Sequence, residues 1–495
     1  VTTSPASNIS IIAGSAESGS FTVTATLTGG YSVAPQTIQA ALTTGTNGAV
    51  TFTNNDCTVS SINPTCTITV TAANDATAAT ADVVTISNTT TPGMFTPIVV
   101  TFAIVQPIMR IYLPQTGQLY CVPGTSFTQT CGSGYTSVAG TDGYGRNIPS
   151  HGDYIPYGVT WAYNGSGTLN PTTRFTVSTD GCEVTDNLTG LIWLQDPGAA
   201  SSATKVWSDA LQIANTGTWC NQTAGAWRLP NVNELASLVN QGAANSSVWL
   251  NGQGFSGVQA GRYWSSTTDA EYTSGAWFVG MLNGHVSTGV NDGSYYVWPV
   301  RGTTALPAQI PQTGQTTSYA AGDDGNLQKG TVGTNASVRF VAGSGAEAAC
   351  ITDQQTGLMW PKNGIIGFED INSGGPIAQP DYTNTTANLN TLSWSNALTA
   401  VSKMNSATSK LCGYSDWRLP NRNELRSLVN YGQANVFTWL NAQGFSNVQA
   451  NYYWSSTTYA YDTGYAWVVY MSGGYVLNDG KANGGVYVWP VRGGR

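Results

Sequence analysis

The residues best suited to hold a metal are Asp323-Asp324, directly ahead of Gly325, and Asp142, directly ahead of Gly143. Carboxylates beside a glycine can bind Ca2+ through oxygen. The twelve-residue calcium loop with a closing Glu is missing, so a polar turn is the preferred reading. No cofactor is expected, with Ca2+ at these carboxylates as the one reservation. Arg228 and Arg418 each sit between a Trp and a Leu-Pro. They suit either an anion ligand or a buried cation held by Glu234 or Glu424 under a stacked tryptophan, and the second is preferred. Arg301 and Arg492 are read the same way. Only His151 and His285 occur, so no Ser-His-Asp set is evident. No enzymatic activity is expected. A carboxylate pair acting on polysaccharide is kept as an alternative, although no motif singles one out. Leu113-Pro-Gln-Thr-Gly117 has the letters of a sortase signal. It lacks the apolar span and basic tail that such a signal needs, and it is not read as one.

These residues sit in a chain of 495 residues with only 9% charged and a formal charge of −8. An acidic chain without a basic face is a poor partner for nucleic acid. Its 16 Trp and 24 Tyr exclude a disordered or collagen-like chain. No apolar run approaches the roughly 18 residues of a membrane span. The chain lacks an initiator Met and a leader, so Val1 is expected to follow a removed signal peptide. Eight Cys without a C-x-x-C pair point to disulfides and an extracellular or cell-surface setting.

The elements that position these groups come in two copies, an internal duplication. Leu113-Pro-Gln-Thr-Gly-Gln118 returns as Ile310-Pro-Gln-Thr-Gly-Gln315, and Thr189-Gly-Leu-Ile-Trp193 as Thr356-Gly-Leu-Met-Trp360. Trp227-Arg-Leu-Pro-Asn231 returns as Trp417-Arg-Leu-Pro-Asn421, Tyr263-Trp-Ser-Ser as Tyr453-Trp-Ser-Ser, and Val297-Trp-Pro-Val-Arg301 as Val488-Trp-Pro-Val-Arg492. The later blocks hold an offset of about 190. Equivalent copies should form equivalent bonds, which pairs Cys182 with Cys220 and Cys350 with Cys412. Cys121 and Cys131, in a stretch found only in the first copy, are paired with each other, and Cys57 with Cys66 across a turn as a stapled hairpin. Within each copy, helices are expected from Trp207 and Trp394. A second helix follows Trp-Arg-Leu-Pro, with Asn231 or Asn421 as cap and Glu234 or Glu424 completing a capping box. Strands follow, with Asn283-Gly284 as a hairpin turn.

The first 105 residues hold no Lys or Arg, and runs such as Phe21–Leu27, Thr65–Val70 and Ile98–Ile104 alternate Thr with apolar residues. Several such strands at this spacing predict an immunoglobulin-like β-sandwich. The expected fold is multi-domain, an all-β immunoglobulin-like sandwich followed by two α+β modules. The boundaries are 1–106, 107–304 with a core of 174–302, and 305–495 with a core of 339–493.

The repeated blocks resemble the C-terminal domain family of the Legionella collagen-like adhesin (Lcl), whose pattern is Thr-Gly-Leu-x-Trp, Trp-Arg-Leu-Pro-x-x-x-Glu-Leu, Tyr-Trp-Ser-Ser and a closing Pro-Val-Arg. The resemblance covers 174–302 and 339–493. It implies a fold related to C-type lectin-like domains and to the formylglycine-generating enzyme, and a secreted or surface protein whose late loops bind something. The formylglycine chemistry uses a reactive cysteine pair, and every cysteine here is assigned to a bridge. There is no collagen repeat.

The copies diverge in the loops after Tyr-Trp-Ser-Ser. The first carries Asp269, Glu271, Tyr272, His285 and Tyr295; the second carries Tyr459, Tyr461, Asp462, Tyr465, Tyr475 and Lys481. A retained frame with diverged, Tyr-rich loops suits recognition of a glycan or protein surface. The same residues suit contact with a neighbouring domain or another copy of the chain. Adhesion or surface recognition is the expected function. The structural alternative is a filament subunit, in which Val1–Ile12 adds as a strand to a neighbouring chain.

Overall fold

A computed structural model describes the strands between residues 9 and 105, Asp56, Leu113, Thr116, and residues 159–163, 169–303, 308–332, 339–365, 391–407 and 409–493. Contacts divide the chain into two units, Val1–Met109 and Arg110–Arg495.

The described residues of the first unit form eight strands: Ile9–Ile12 (β1), Ser20–Thr26 (β2), Gln36–Thr44 (β3), Val50–Thr53 (β4), Cys57–Val59 (β5), Thr65–Ala72 (β6), Ala79–Asn88 (β7) and Ile98–Val105 (β8). They form a five-stranded sheet, β1-β8-β7-β3-β5, and a three-stranded sheet, β2-β6-β4. The Thr/apolar runs become strands, as their alternation requires. β1 pairs in parallel with β8 at the sheet edge, from Ile9↔Phe102 to Ile12↔Val105. The hairpin expected around Ser61–Pro64 does not form. β5 pairs with β3 and β6 lies between β2 and β4, so β5 and β6 belong to different sheets. The side chains of Cys57 and Cys66, and all of Cys121, Cys131, Asp142 and His151, lie outside the described residues.

Among the described residues of the second unit, Val159–Tyr163 (β9) pairs antiparallel with Leu169–Thr173 (β10). The first copy follows: Phe175–Val177 (β11), Glu183–Asp186 (β12), Ile192–Leu194 (β13), helices Trp207–Thr216 (α1), Val232–Ser237 (α2) and Ser246–Asn251 (α3), then Arg262–Thr268 (β14), Gly275–Gly280 (β15), Val286–Val290 (β16) and Val300–Arg301 (β17). A short helix, Asp324–Leu327 (α4), lies in the connection. The second copy repeats the plan with Phe340–Ala342 (β18), Cys350–Asp353 (β19), Leu358–Pro361 (β20), Thr391–Leu392 (β21), Trp394–Ser406 (α5), Arg422–Arg426 (α6), Val436–Ala442 (α7), Tyr452–Thr458 (β22), Tyr465–Tyr470 (β23), Val476–Gly480 (β24), Val486–Tyr487 (β25) and Arg492–Gly493 (β26). Each copy has a small four-stranded sheet, β11-β12-β13-β17 and β18-β19-β20-β26.

The larger strands of both copies join in one eight-stranded sheet, β14-β15-β16-β24-β23-β22-β25-β21. The seam is the antiparallel pair β16–β24, at Val286↔Val476. The repeated tryptophans form the core. Trp193, Trp298 and Phe255 meet edge to face with Tyr263 beside them, and Trp360, Trp489, Phe445 and Tyr453 repeat the arrangement. Their indoles are buried without loss of hydrogen bonds where they reach backbone. Trp298 Nε1 donates to Leu194 O and Trp489 Nε1 to Pro361 O. Cys182–Cys220 and Cys350–Cys412 are bonded, and no described cysteine is free. Among the described residues no helix is long and apolar enough to cross a membrane.

Candidate functional site

The residues repeated in both copies build the frame that carries the loops. Asn231 and Asn421 cap α2 and α6, and Glu234 and Glu424 close both capping boxes. The same carboxylates hold the arginines of Trp-Arg-Leu-Pro. Arg228 meets Glu234 through two bonds of 2.7 Å, and Arg418 meets Glu424 at 2.5 and 2.7 Å. These arginines are therefore structural, with a planar fork satisfied on both sides. One detail differs from expectation. The cation over Trp227 is Arg301, at 5.7 Å, and Arg301 is held by Glu183. The closing strand lies across the Trp-Arg-Leu-Pro segment through the Arg228↔Val300 bridge, which brings Arg301 to that ring. Arg492 pairs with Asp416 and lies over Tyr414.

The two Pro-Gln-Thr-Gly segments act as straps, seen at Thr116 in the first and over residues 310–314 in the second. Thr116 O accepts from Gln241 N at 2.7 Å, and Thr313 O accepts from Tyr431 N at 2.9 Å, so each strap ties down the loop after its own copy's second helix. The second strap continues onto the first copy. There Asp324 Oδ2 accepts from Thr267 Oγ1 at 2.8 Å and Thr313 Oγ1 at 2.5 Å. Burial raises the Asp324 pKa to about 7, against the lowering effect of those two bonds. Asp323 caps α4, accepting from Asn326 N, Tyr319 N, Ala320 N and Ser318 Oγ. Both carboxylates thus serve as local hydrogen-bond acceptors. Among the described residues no three His, Cys, Asp or Glu side chains cluster as a metal site.

The diverged loops separate into two classes. Tyr272, Tyr461 and Tyr465 are exposed, at 61%, 59% and 39%. Tyr272 lies in the β14–β15 loop and Tyr461 in the β22–β23 loop; Tyr465 opens β23. Glu271 N and Gly464 N donate to Asp269 and Asp462, which shape these loops. Asp269 is itself buried, and burial raises its pKa. Tyr295 packs inward on Trp264 at 4.3 Å and Phe278 at 5.0 Å, under Arg262. Lys481 lies at the margin of the second loop, with Nζ on Thr458 Oγ1.

His285, Tyr459 and Tyr475 lie between the copies. His285 Nε2 donates to Asn478 Oδ1 at 2.6 Å, which leaves Nδ1 to accept from Asn283 Nδ2 at 3.2 Å. The imidazole stacks on Tyr459 at 5.9 Å and meets the edge of Trp467 at 5.6 Å. Burial lowers the pKa of His285, and the positive Arg422 and Arg262 lower it further against the Asn478 bond. Tyr475, at the position equivalent to His285, makes the matching contacts in reverse. Its hydroxyl is 3.1 Å from Thr288 Oγ1 and its ring 5.1 Å from Trp277. The contact is therefore a pseudo-two-fold, with each hairpin turn tucked under the other copy's loop. Tyr431 on Trp277, and Arg422 over Trp467 with Nη2 on Gly284 O, complete it.

The loops and sequence motifs alone did not single out Arg422, Tyr431, Asn478, Thr288 or Trp277. A signal was present in the paired differences, since Arg422 and Tyr431 replace Val232 and Gln241 at equivalent positions. The seam also sets the direction of the exposed loops. Gly275 pairs with Val290 at one end of β16, and Tyr465 with Gly480 at the far end of β24. Because β16 and β24 run antiparallel from Val286↔Val476, the two exposed rims lie at opposite ends of the shared sheet.

No curated relative matches the chain. Among solved structures, the Yersinia pseudotuberculosis adhesin InvE aligns with 98% of this chain and 94% of its own at 12% identity, with a TM-score of 0.17. That likeness is too low to bear on fold or function. The family described as "Lcl C-terminal domain" matches residues 182–301 and 349–492, which coincide with the two copies built on the paired tryptophans and capping boxes. With more than half of its length so matched, the chain belongs to the Lcl C-terminal domain family.

Proposed function

We propose that this chain is an extracellular, non-catalytic recognition protein of the adhesin type, in which two lectin-like frames present different rims. The immunoglobulin-like reading of the first unit and the lectin-like reading of the copies belong to this proposal. The single observation that carries it is the contrast between frame and rim. The capping boxes, ion pairs and tryptophan clusters repeat, whereas the exposed rims differ and present Tyr272 in one copy and Tyr461 with Tyr465 in the other. Exposed tyrosines offer broad contact area at small entropy cost. Two rims at opposite ends of one sheet suit the bridging of two surfaces. The two bridged cysteine pairs support an oxidising setting.

A glycan array tests the reading, with the parent chain, Tyr272→Ala, and the Tyr461→Ala, Tyr465→Ala double variant. Loss of central aromatics is expected to weaken binding roughly tenfold or more at the altered rim only. Equal binding by parent and both variants would remove the rims as the contact surface.

A second reading, filament subunit, is favoured by one observation. β1 is a four-residue edge strand held in parallel on β8. The same seat accepts the β1 of another chain if the connection opens. Deletion of residues 1–12 followed by negative-stain imaging is expected to abolish any polymer formed by the parent. Polymer that persists in the deletion variant counts against strand exchange.

A further inference from the structure

The two copies build the same socket and complete it differently. In the second copy the floor is the Trp394 ring and one wall is Thr458. Trp394 Nε1 donates to Ser455 O at 2.8 Å, and Trp394 N donates to Lys481 O at 3.0 Å. Lys481 N donates to Gly464 O. The lysine ammonium then lies 4.1 Å from the centre of the Trp394 ring and 3.0 Å from Thr458 Oγ1. It forms no salt bridge among the described residues, and burial alone pulls its pKa down to about 8.

The first copy repeats this frame bond for bond. Trp207 Nε1 donates to Ser265 O at 2.8 Å, Trp207 N to Asn291 O at 3.0 Å, and Asn291 N to Ser274 O. Thr268 pairs with Ala276 as Thr458 pairs with Ala466. Asn291 thus stands where Lys481 stands, with a side chain too short to carry a group onto the tryptophan. Two acceptors are left over. Thr268 Oγ1 and Asn291 Oδ1 are buried and form no hydrogen bond, and Thr268 as a whole is only 1% exposed. Among the described residues no Lys or Arg stands over the Trp207 ring, although Lys205 is close to it in sequence. A tryptophan face beside two orphaned oxygens suits a group that has both positive charge and N–H donors. The surrounding sequence has the complementary charge. Asp209, Asp269 and Asp292 flank this socket at positions where the second copy has Asn396, Tyr459 and Ala482. The copy that lacks the lysine is the one that carries the carboxylates.

We propose that the first copy binds a primary alkylammonium, the chemistry of a lysine side-chain end or of a free amine, with its nitrogen over Trp207 and its N–H groups on Thr268 Oγ1 and Asn291 Oδ1. The ligand takes the place that the Lys481 side chain fills in the second copy. Asn291 is partly exposed, so the socket is reached from solvent at that residue. A quaternary ammonium has the charge and no N–H, and would leave both oxygens unsatisfied. An alcohol has a donor and no charge, and gains little from the ring face. The inference does not depend on the exposed tyrosines.

The test uses the full chain and ligand-observed NMR titrations with butylammonium, butyltrimethylammonium and butanol. The parent is expected to bind butylammonium roughly tenfold more tightly than either of the others. Asn291→Lys copies the arrangement of the second copy and is expected to abolish that binding, because its own ammonium takes the place. Thr268→Val, which keeps the side-chain shape without the hydroxyl, is expected to weaken binding roughly fivefold. Near-UV circular dichroism checks that each variant keeps its aromatic packing. No binding of butylammonium up to roughly 100 mM would mean that the two oxygens hold water only, and would overturn the proposal. Equal binding of butyltrimethylammonium would overturn the role of the oxygens. Unchanged binding in Asn291→Lys would place the ligand elsewhere and overturn the site. With the site established, capped lysine and 1,4-diaminobutane separate the two sources, since tighter binding of the first assigns a protein side chain and of the second a free amine.

Discussion

Replacing Glu234 with alanine is expected to destabilise the first copy by about 3–5 kcal/mol, the cost of stranding a buried charge. Glu234 is fully buried and does three things at once. It takes both forks of Arg228, accepts from Asn231 N, and so completes the capping box of α2. Removing it leaves the Arg228 guanidinium, only 8% exposed, without a counter-charge. The second copy provides an internal control. Arg418, opposite Glu424, is 22% exposed and can recover hydration when its partner is lost. Glu424→Ala is therefore expected to cost less than Glu234→Ala. Urea unfolding followed by tryptophan fluorescence reads both as midpoint shifts. Equal shifts, or a larger one for Glu424→Ala, would refute the link between burial and cost. The double variant Arg228→Met, Glu234→Leu is expected to recover much of the loss, because paired apolar replacement removes the charge as well as its partner.

Gly284→Val is expected to open the seam between the copies, with a loss of roughly 2–5 kcal/mol. Two causes add. Gly284 has a φ of +81°, where a β-branched residue is strained. A Cβ there would also stand 2.7 Å from Val239 Cγ1 and 3.4 Å from Trp467 in the other copy, which overpacks the contact. The Gly284 carbonyl moreover takes the Arg422 Nη2 donor, so a shift of the turn disturbs that bond as well. Hydrogen exchange should rise in β16 and β24 while the tryptophan clusters of each copy stay protected. Gly284→Asn, which tolerates positive φ, should show the packing part of the effect alone. Protection unchanged at β16 and β24 in Gly284→Val would show that the turn does not hold the copies together.

Much of the frame was legible in sequence because its causes are local or repeated. The Asn-x-x-Glu spacing encodes a capping box within one helical turn, and both boxes form. Asn283-Gly284 encodes a tight turn between apolar runs, and it joins β15 to β16. The Cys182–Cys220 and Cys350–Cys412 bonds followed from equivalence between copies, since equal frames bring equal positions together. The duplication itself also carried the family membership. Misreadings arose where a residue's partner lies far along the chain. The turn after Cys57 looked like a hairpin, yet β5 and β6 enter different sheets because their partners are β3 on one side and β2 and β4 on the other.

The rims show the limit most plainly. Tyr459 and Tyr461 are two residues apart in one loop, and composition treats them alike. Tyr459 is 7% exposed, against His285, whereas Tyr461 is 59% exposed. His285 and Tyr475 likewise occupy loop tips by sequence and the seam by structure. The sequence by itself determined the two-copy frame, its caps, its bridges and the places where the copies diverge. Only the tertiary structure decided which diverged residues face solvent and which face the other copy. The reason is that β16 and β24 present free sheet edges until they meet, and local sequence does not state which edge a strand some 190 residues away will cover.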